Sequence, residues 1–253
     1  MLYAALTFWL LVIVFSAWGV YWMWGRLVKP RVVNTVLLPG TLVAQLGHVL
    51  GLLVTGNPVR NTKLMGDDEK GEPKSDAPET QRIPVIGSIL VGLLPLVACA
   101  ACLYAAARLL GGHVLEELSG GAALSVSQYL PTSLSAMWEL LRNSITVIEN
   151  MLNAILRSEL LDWSTVLFLY LAICLTVRMT PFEGNRRGAV AAIFLAGIAI
   201  AVAASLAASL EEFILQSWWP ILSFAVGMLL FLLLLSLLVG GIVGLARILV
   251  RNQ

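Results

Sequence analysis

"LPGTLVAQLGHVLGLLVTG", residues 38–56, decides how this chain is read. Its leucines and valines are apolar enough for a membrane. Yet it also holds Pro39, Gly40, Gly47, Gly51, Gln45 and His48, one of only two histidines in 253 residues. A polar side chain inside a bilayer is costly, and an ionisable one marks a functional site by default. There is a structural alternative. A Gln and a neutral His can bond each other, a neighbouring span or a freed backbone carbonyl.

The rest of the chain supplies the setting. It is 59% apolar and 12% charged, with a mean hydropathy of +0.88. Soluble domains carry about 25% charged residues. The composition is that of an integral membrane protein, so the lipid bilayer is its first partner. A net charge of +1 offers no basic stripe for nucleic acid. Cys99, Cys102 and Cys174 all lie in apolar runs, which implies no disulfide framework. Cys99 and Cys102 have the spacing of a redox pair but no βαβ context, and read as small residues on a helix-packing face.

A spanning helix needs roughly 20 apolar residues. Five runs meet or approach that length, at 2–24, 84–110, 163–179, 188–210 and 221–250. Residues 37–55 form a sixth, weaker candidate, and 57–83 a polar loop of mixed charge. The first run has no basic start and contains Trp9, Trp18, Trp22 and Trp24, so it reads as a retained anchor rather than a cleaved signal. Gly240 and Gly244 place small residues four apart, a helix-packing signal.

Charge decides the weak segment. If residues 37–55 cross fully, the lysines and arginines divide 10 to 6 between the two sides. If they enter and return, the division is 13 to 3, with Arg178, Arg186 and Arg187 on the richer side and only Arg108, Arg142 and Arg157 on the other. The positive-inside rule favours the second arrangement. The N-terminus is then outside and the C-terminus cytoplasmic, in a bacterial inner membrane. Trp163, Trp218 and Trp219 would mark the outer interface, and Trp22 and Trp24 the inner one. The glycines and Pro39 weaken a continuous helix, and broken backbone at membrane depth must be buried in protein. The expected fold is therefore all-α: five spanning helices plus one broken or re-entrant segment, with six spans as the alternative.

Residues 134–160 differ from the spans. Leu134, Trp138, Leu141, Ile145, Ile148, Leu152 and Ile155 repeat at alternating intervals of four and three, among Glu139, Arg142, Glu149 and Arg157. That is an amphipathic helix. It would lie outside, on the bilayer surface or against a partner helix. Its polar face is not Lys/Arg-rich, which favours a protein partner over anionic lipid.

Ala44 and His48 are four apart and share a helical face. That is the spacing of H-E-x-x-H, in which two histidines bind zinc and the Glu acts as general base. Here the five positions read Ala44-Gln45-Leu46-Gly47-His48. The run "PGTLVAQLGHVLGLLVTG" resembles the zinc-helix region of the site-2-protease-like membrane metallopeptidases. "IGSILVGLLPLVACAACLY", from Ile86, resembles the span that follows it. "MTPFEGNRRGAV", residues 179–190, resembles the start of a later span. The three stretches are spread over residues 39–190, more than half the chain. The departures carry the meaning. Ala44 stands where the family has its first histidine, Gln45 where it has the catalytic Glu, and Asn185 where it has the later acid. Only His48 matches. Catalytic zinc usually takes three protein ligands, and Gln cannot accept a proton from water as Glu does.

The resemblance thus implies a relative with no catalytic residues, no bound metal and no cofactor. On this reading the chain is a non-catalytic subunit of a larger membrane assembly, with other membrane proteins as partners. Two other classes stay open. One is an active intramembrane zinc peptidase with displaced ligands. The other is a transporter or lipid-binding protein, against which stands the lack of any internal repeat.

Overall fold

Pro30 and Pro39 each start a helix, and the chain bends between them. In the computed structural model, which describes residues 2–59, 86–121, 126–159, 162–179, 191–195, 197–198, 200–202, 212 and 214–251, Leu37 closes α2 (Pro30–Val36) and caps α3 (Leu38–Val54). The two helix axes differ by 74°. Proline is tolerated in a first turn because its missing N–H would have no helical partner there. The Leu37 amide donates to Val33 O at 3.0 Å, and the Leu37 carbonyl accepts from Thr41 N at 2.9 Å, so the corner keeps its backbone satisfied.

This corrects one expectation. Residues 38–54 form a single unbroken helix, and the break lies just before it. Of the glycines expected to weaken it, only Gly56 acts as a stop. Its φ is +69°, the left-handed region that suits glycine. Gly56 N donates to Leu53 O and Asn57 N to Leu52 O, the paired bonds of a Schellman C-cap.

All regular structure among the described residues is helical. α1 is Leu2–Leu27, α4 Ile86–Leu110, α5 Gly112–Gly121, α6 Leu134–Arg157 and α7 Trp163–Val177. A short π-helical turn, Ile214–Trp218, leads into α8, Trp219–Arg251. Among the described residues three helices are long and apolar enough to cross a membrane: α1, the Ile89–Leu110 part of α4 and the Trp219–Leu245 part of α8. The α2–α3 pair makes a fourth if the bent pair counts as one span. α7 is apolar but has only 15 residues. A further apolar helical stretch, Ala191–Val202, is described in part. Five full spans plus a re-entrant segment therefore exceed what helix length alone supports. Residues 60–85, most of the polar loop, lie outside the described residues.

α1 packs along α8, with the Trp24 indole donating to Ser236 Oγ at 2.8 Å. The segment before α6 is tied down by side chains from both. Trp9 Nε1 donates to Ser127 O at 2.8 Å, Trp219 Nε1 donates to Val126 O at 3.2 Å, and Val126 N donates to Ser223 Oγ at 3.3 Å. Irregular backbone within an apolar body needs such partners. Trp219 and Trp24 are thus internal clamps rather than simple interface markers. Trp163 and Trp22 do stay exposed. Ser133 caps α6 by accepting from Ala136 N, and Asp162 caps α7 by accepting from Thr165 N. The Ser164 hydroxyl also donates to Asp162, and this bond above all holds that carboxyl below its usual range.

α6 is amphipathic, as its spacing predicts, and it docks on the body through a neighbouring stripe. Leu140, Val147, Met151 and Ala154 face the body, where α6 meets α5 and α8. Of the expected contact stripe, Ile148 and Ile155 are half-buried. Leu134, Trp138, Leu141, Ile145 and Leu152 are exposed, Leu134 at 83%. A heptad rhythm fixes an apolar face without saying what covers it.

Candidate functional site: the α3 helix between α4 and α7

α3 buries one face completely. Gly40, Thr41, Ala44, Gln45, Gly47, His48, Gly51 and Leu52 are all buried, and they recur at helical spacing. Two glycines on that face bring α3 onto the backbone of α4. A Cβ added at Gly47 would stand 2.6 Å from Leu94 O and 2.8 Å from Pro95 Cα. One added at Gly51 would stand 2.9 Å from Val91 Cα. Gly40 approaches α7 instead, where a Cβ would overlap the Cys174 carbonyl. Small residues allow this backbone contact between membrane helices.

His48 is placed by the same contact. Pro95 sits inside α4. It has no N–H, so the helical bond it would donate to the carbonyl four residues back, that of Val91, cannot form. The His48 imidazole lies against that carbonyl. The polar residue in the apolar helix is thus placed beside the backbone group that the proline in the facing helix leaves open. Neighbouring helices commonly re-satisfy the backbone at membrane prolines.

The arrangement predicts a coupling. His48→Leu is expected to cost about 1–3 kcal/mol, because a buried carbonyl loses the polar group beside it. Pro95→Ala restores an N–H to α4, so His48→Leu should cost less in that background. Unfolding of the two single variants and the double variant in detergent checks this. Simple additivity would show that His48 and Pro95 act independently.

The other positions compared with that motif divide. Ala44 is buried without exposure, and Gln45 lies beside it on the packed face. Asn185 lies outside the described residues. Among the described residues no three His, Cys, Asp or Glu side chains come together as a metal-binding group. The second histidine, His113, is exposed on α5 and lies near Asp162, away from the His48 contact on α4. Cys99 is buried, Cys102 is exposed, and both are free thiols.

One polar cluster escaped the sequence reading. Arg178, assigned there to the positive inner side, is only 4% exposed at the C-terminal end of α7. Its Nη2 donates to Asn34 Oδ1 at 2.6 Å. Tyr21 OH donates to the same oxygen at 3.1 Å. The guanidinium also lies 5.1 Å from the centre of the Tyr21 ring. Among the described residues no carboxylate pairs with it, and its Nε has no hydrogen-bond partner. The cluster joins α1, α2 and α7 beside the corner at Leu37. Arg178 Cγ would also lie 3.1 Å from a Cβ at Gly40, which ties the cluster to the first turn of α3. The only sequence signal was an arginine ending an apolar run, which reads equally well as a topology charge.

Among the described residues the Gly240–Gly244 signal marks no close helix contact. A Cβ at Gly241 or Gly244 would meet nothing within 4 Å, and at Gly240 only Met23, at 3.7 Å.

No protein-family model, curated protein or solved structure matches the chain.

Proposed function

We propose that the chain is a non-catalytic integral membrane subunit of a larger membrane assembly, built on a degenerate metallopeptidase-like scaffold. One observation carries the reading. The face of α3 that holds Ala44 and His48 is spent on packing, with Gly47 and Gly51 against the α4 backbone and the His48 ring on the Val91 carbonyl. A zinc peptidase needs that face open to a metal, a water and a peptide. In this proposal the polar positions of the motif hold two helices together. α7 and residues 188–210 complete five spans, the α2–α3 corner enters without crossing, and the C-terminus is cytoplasmic in a bacterial inner membrane.

The exposed stripe of α6 supports a protein partner. Five large apolar side chains on one exposed face exceed what scattered surface hydrophobics require, and contiguous patches of this kind mark interaction sites. A photoreactive residue placed at Ile145 and activated in intact cells tests this. The proposal expects a discrete protein–protein adduct that disappears with Leu141→Glu, while the variant protein stays at its normal level. Adducts with lipid alone would overturn the assembly reading.

A further inference from the structure

A cavity of about 280 Å³ lies between α1, α4, the π-helical turn and α8. It is bounded by Leu10 on α1, Leu96 and Ala100 on α4, Met179 just beyond α7, Trp218 at the turn and Ala225 on α8. The lining is almost wholly carbon. It is nearly twice the size of an apolar cavity of about 150 Å³ that stays dry and accepts benzene. A water inside it would need two to four polar partners, and this surface supplies almost none. An empty space of that size forfeits the packing contacts that its walls would otherwise make.

The position of the cavity limits the occupant. Most of its walls come from the three described helices that are long and apolar enough to cross a membrane, with Met179 and Trp218 among the rest. At that depth the surrounding solvent is lipid hydrocarbon. We propose that this cavity is a binding site for a single hydrocarbon chain, the acyl chain of a membrane lipid. The site rests on the membrane character of the chain and stands apart from the α3–α4 packing, so it holds whether or not the chain is a subunit of an assembly.

The test uses the full chain in vesicles of phosphatidylcholine carrying a diazirine midway along one acyl chain. A parallel sample contains a free fatty acid with the same diazirine. After illumination, adducts are mapped by mass spectrometry on the cavity residue Leu222 and on the exposed α8 residues Leu237 and Leu238. Wild-type protein should carry adducts at both places. Ala225→Phe, which fills the cavity, should lose the Leu222 adduct and keep those on Leu237 and Leu238. Retention of the latter shows that the variant is inserted. Ala100→Leu fills the cavity from the opposite wall and should give the same result. Labelling by the phospholipid alone would assign the site to a phospholipid chain, and labelling by the fatty acid alone to a single-chain lipid. Absence of the Leu222 adduct in both wild-type samples, or its persistence in both filled variants, would overturn the proposal.

Discussion

Gly47→Leu is expected to abolish folding, and Gly47→Ala to cost about 1–3 kcal/mol as an overpacked core site. Alanine already carries the one atom that cannot fit. Its Cβ would press on Leu94 O, Pro95 Cα and Ala98 Cβ, at 2.6, 2.8 and 2.9 Å. The first two belong to backbone and cannot swing aside. Relief would require α3 and α4 to separate, which would also pull the His48 ring from the Val91 carbonyl. Gly241→Ala is the matched control. Its Cβ meets nothing within 4 Å among the described residues, so its stability should stay within about 0.5 kcal/mol of wild type or rise slightly. Denaturant unfolding in detergent micelles reads all three variants. Equal effects at Gly47 and Gly241 would mean that α3 and α4 are not in backbone contact.

The second large effect is expected at Asn34, through Arg178. Asn34→Leu removes the oxygen that accepts from the guanidinium at 2.6 Å and from Tyr21 OH at 3.1 Å. A hydrogen bond to a charged group contributes about 1.5–3 kcal/mol, and losing it leaves the charge buried. Arg178→Met should cost less. It removes the charge together with its desolvation, and Tyr21 can still donate to Asn34. Replacing buried charge with a well-packed apolar side chain is often close to neutral. The double variant should therefore be nearer in stability to Arg178→Met than to Asn34→Leu. A larger loss for Arg178→Met than for Asn34→Leu would show that the guanidinium makes a stronger contact elsewhere.

Much of this architecture is legible from residues alone. The long apolar runs gave α1, α4 and α8 to within a few residues, because one continuous hydrophobic stretch has only one way to satisfy its backbone in lipid. The spacing from Leu134 to Ile155 gave α6 for the same kind of reason, since a period is a local property. What it could not give was the docked stripe, because Leu140, Val147, Met151 and Ala154 repeat just as regularly on the adjacent face. The glycines of α3 misled more deeply. Read by propensity they weaken a helix, yet against α4 they allow the contact that holds it. Propensity concerns an isolated helix, and the decisive atoms are in another segment. Arg178 was hidden for the same reason, because its partners Asn34 and Tyr21 lie 144 and 157 positions earlier in the chain. Within Ala44–His48, the sequence could offer a freed backbone carbonyl as one partner for His48. Only the facing helix, with Pro95 four residues after Val91, shows which carbonyl it is.

The central claim is that the α3 face serves packing and binds no metal. Metal analysis of the full-length protein, purified in detergent without chelator and with zinc added during growth, tests it most directly. The account predicts zinc far below one ion per chain, unchanged in His48→Ala. One zinc per chain, lost in His48→Ala, would contradict it.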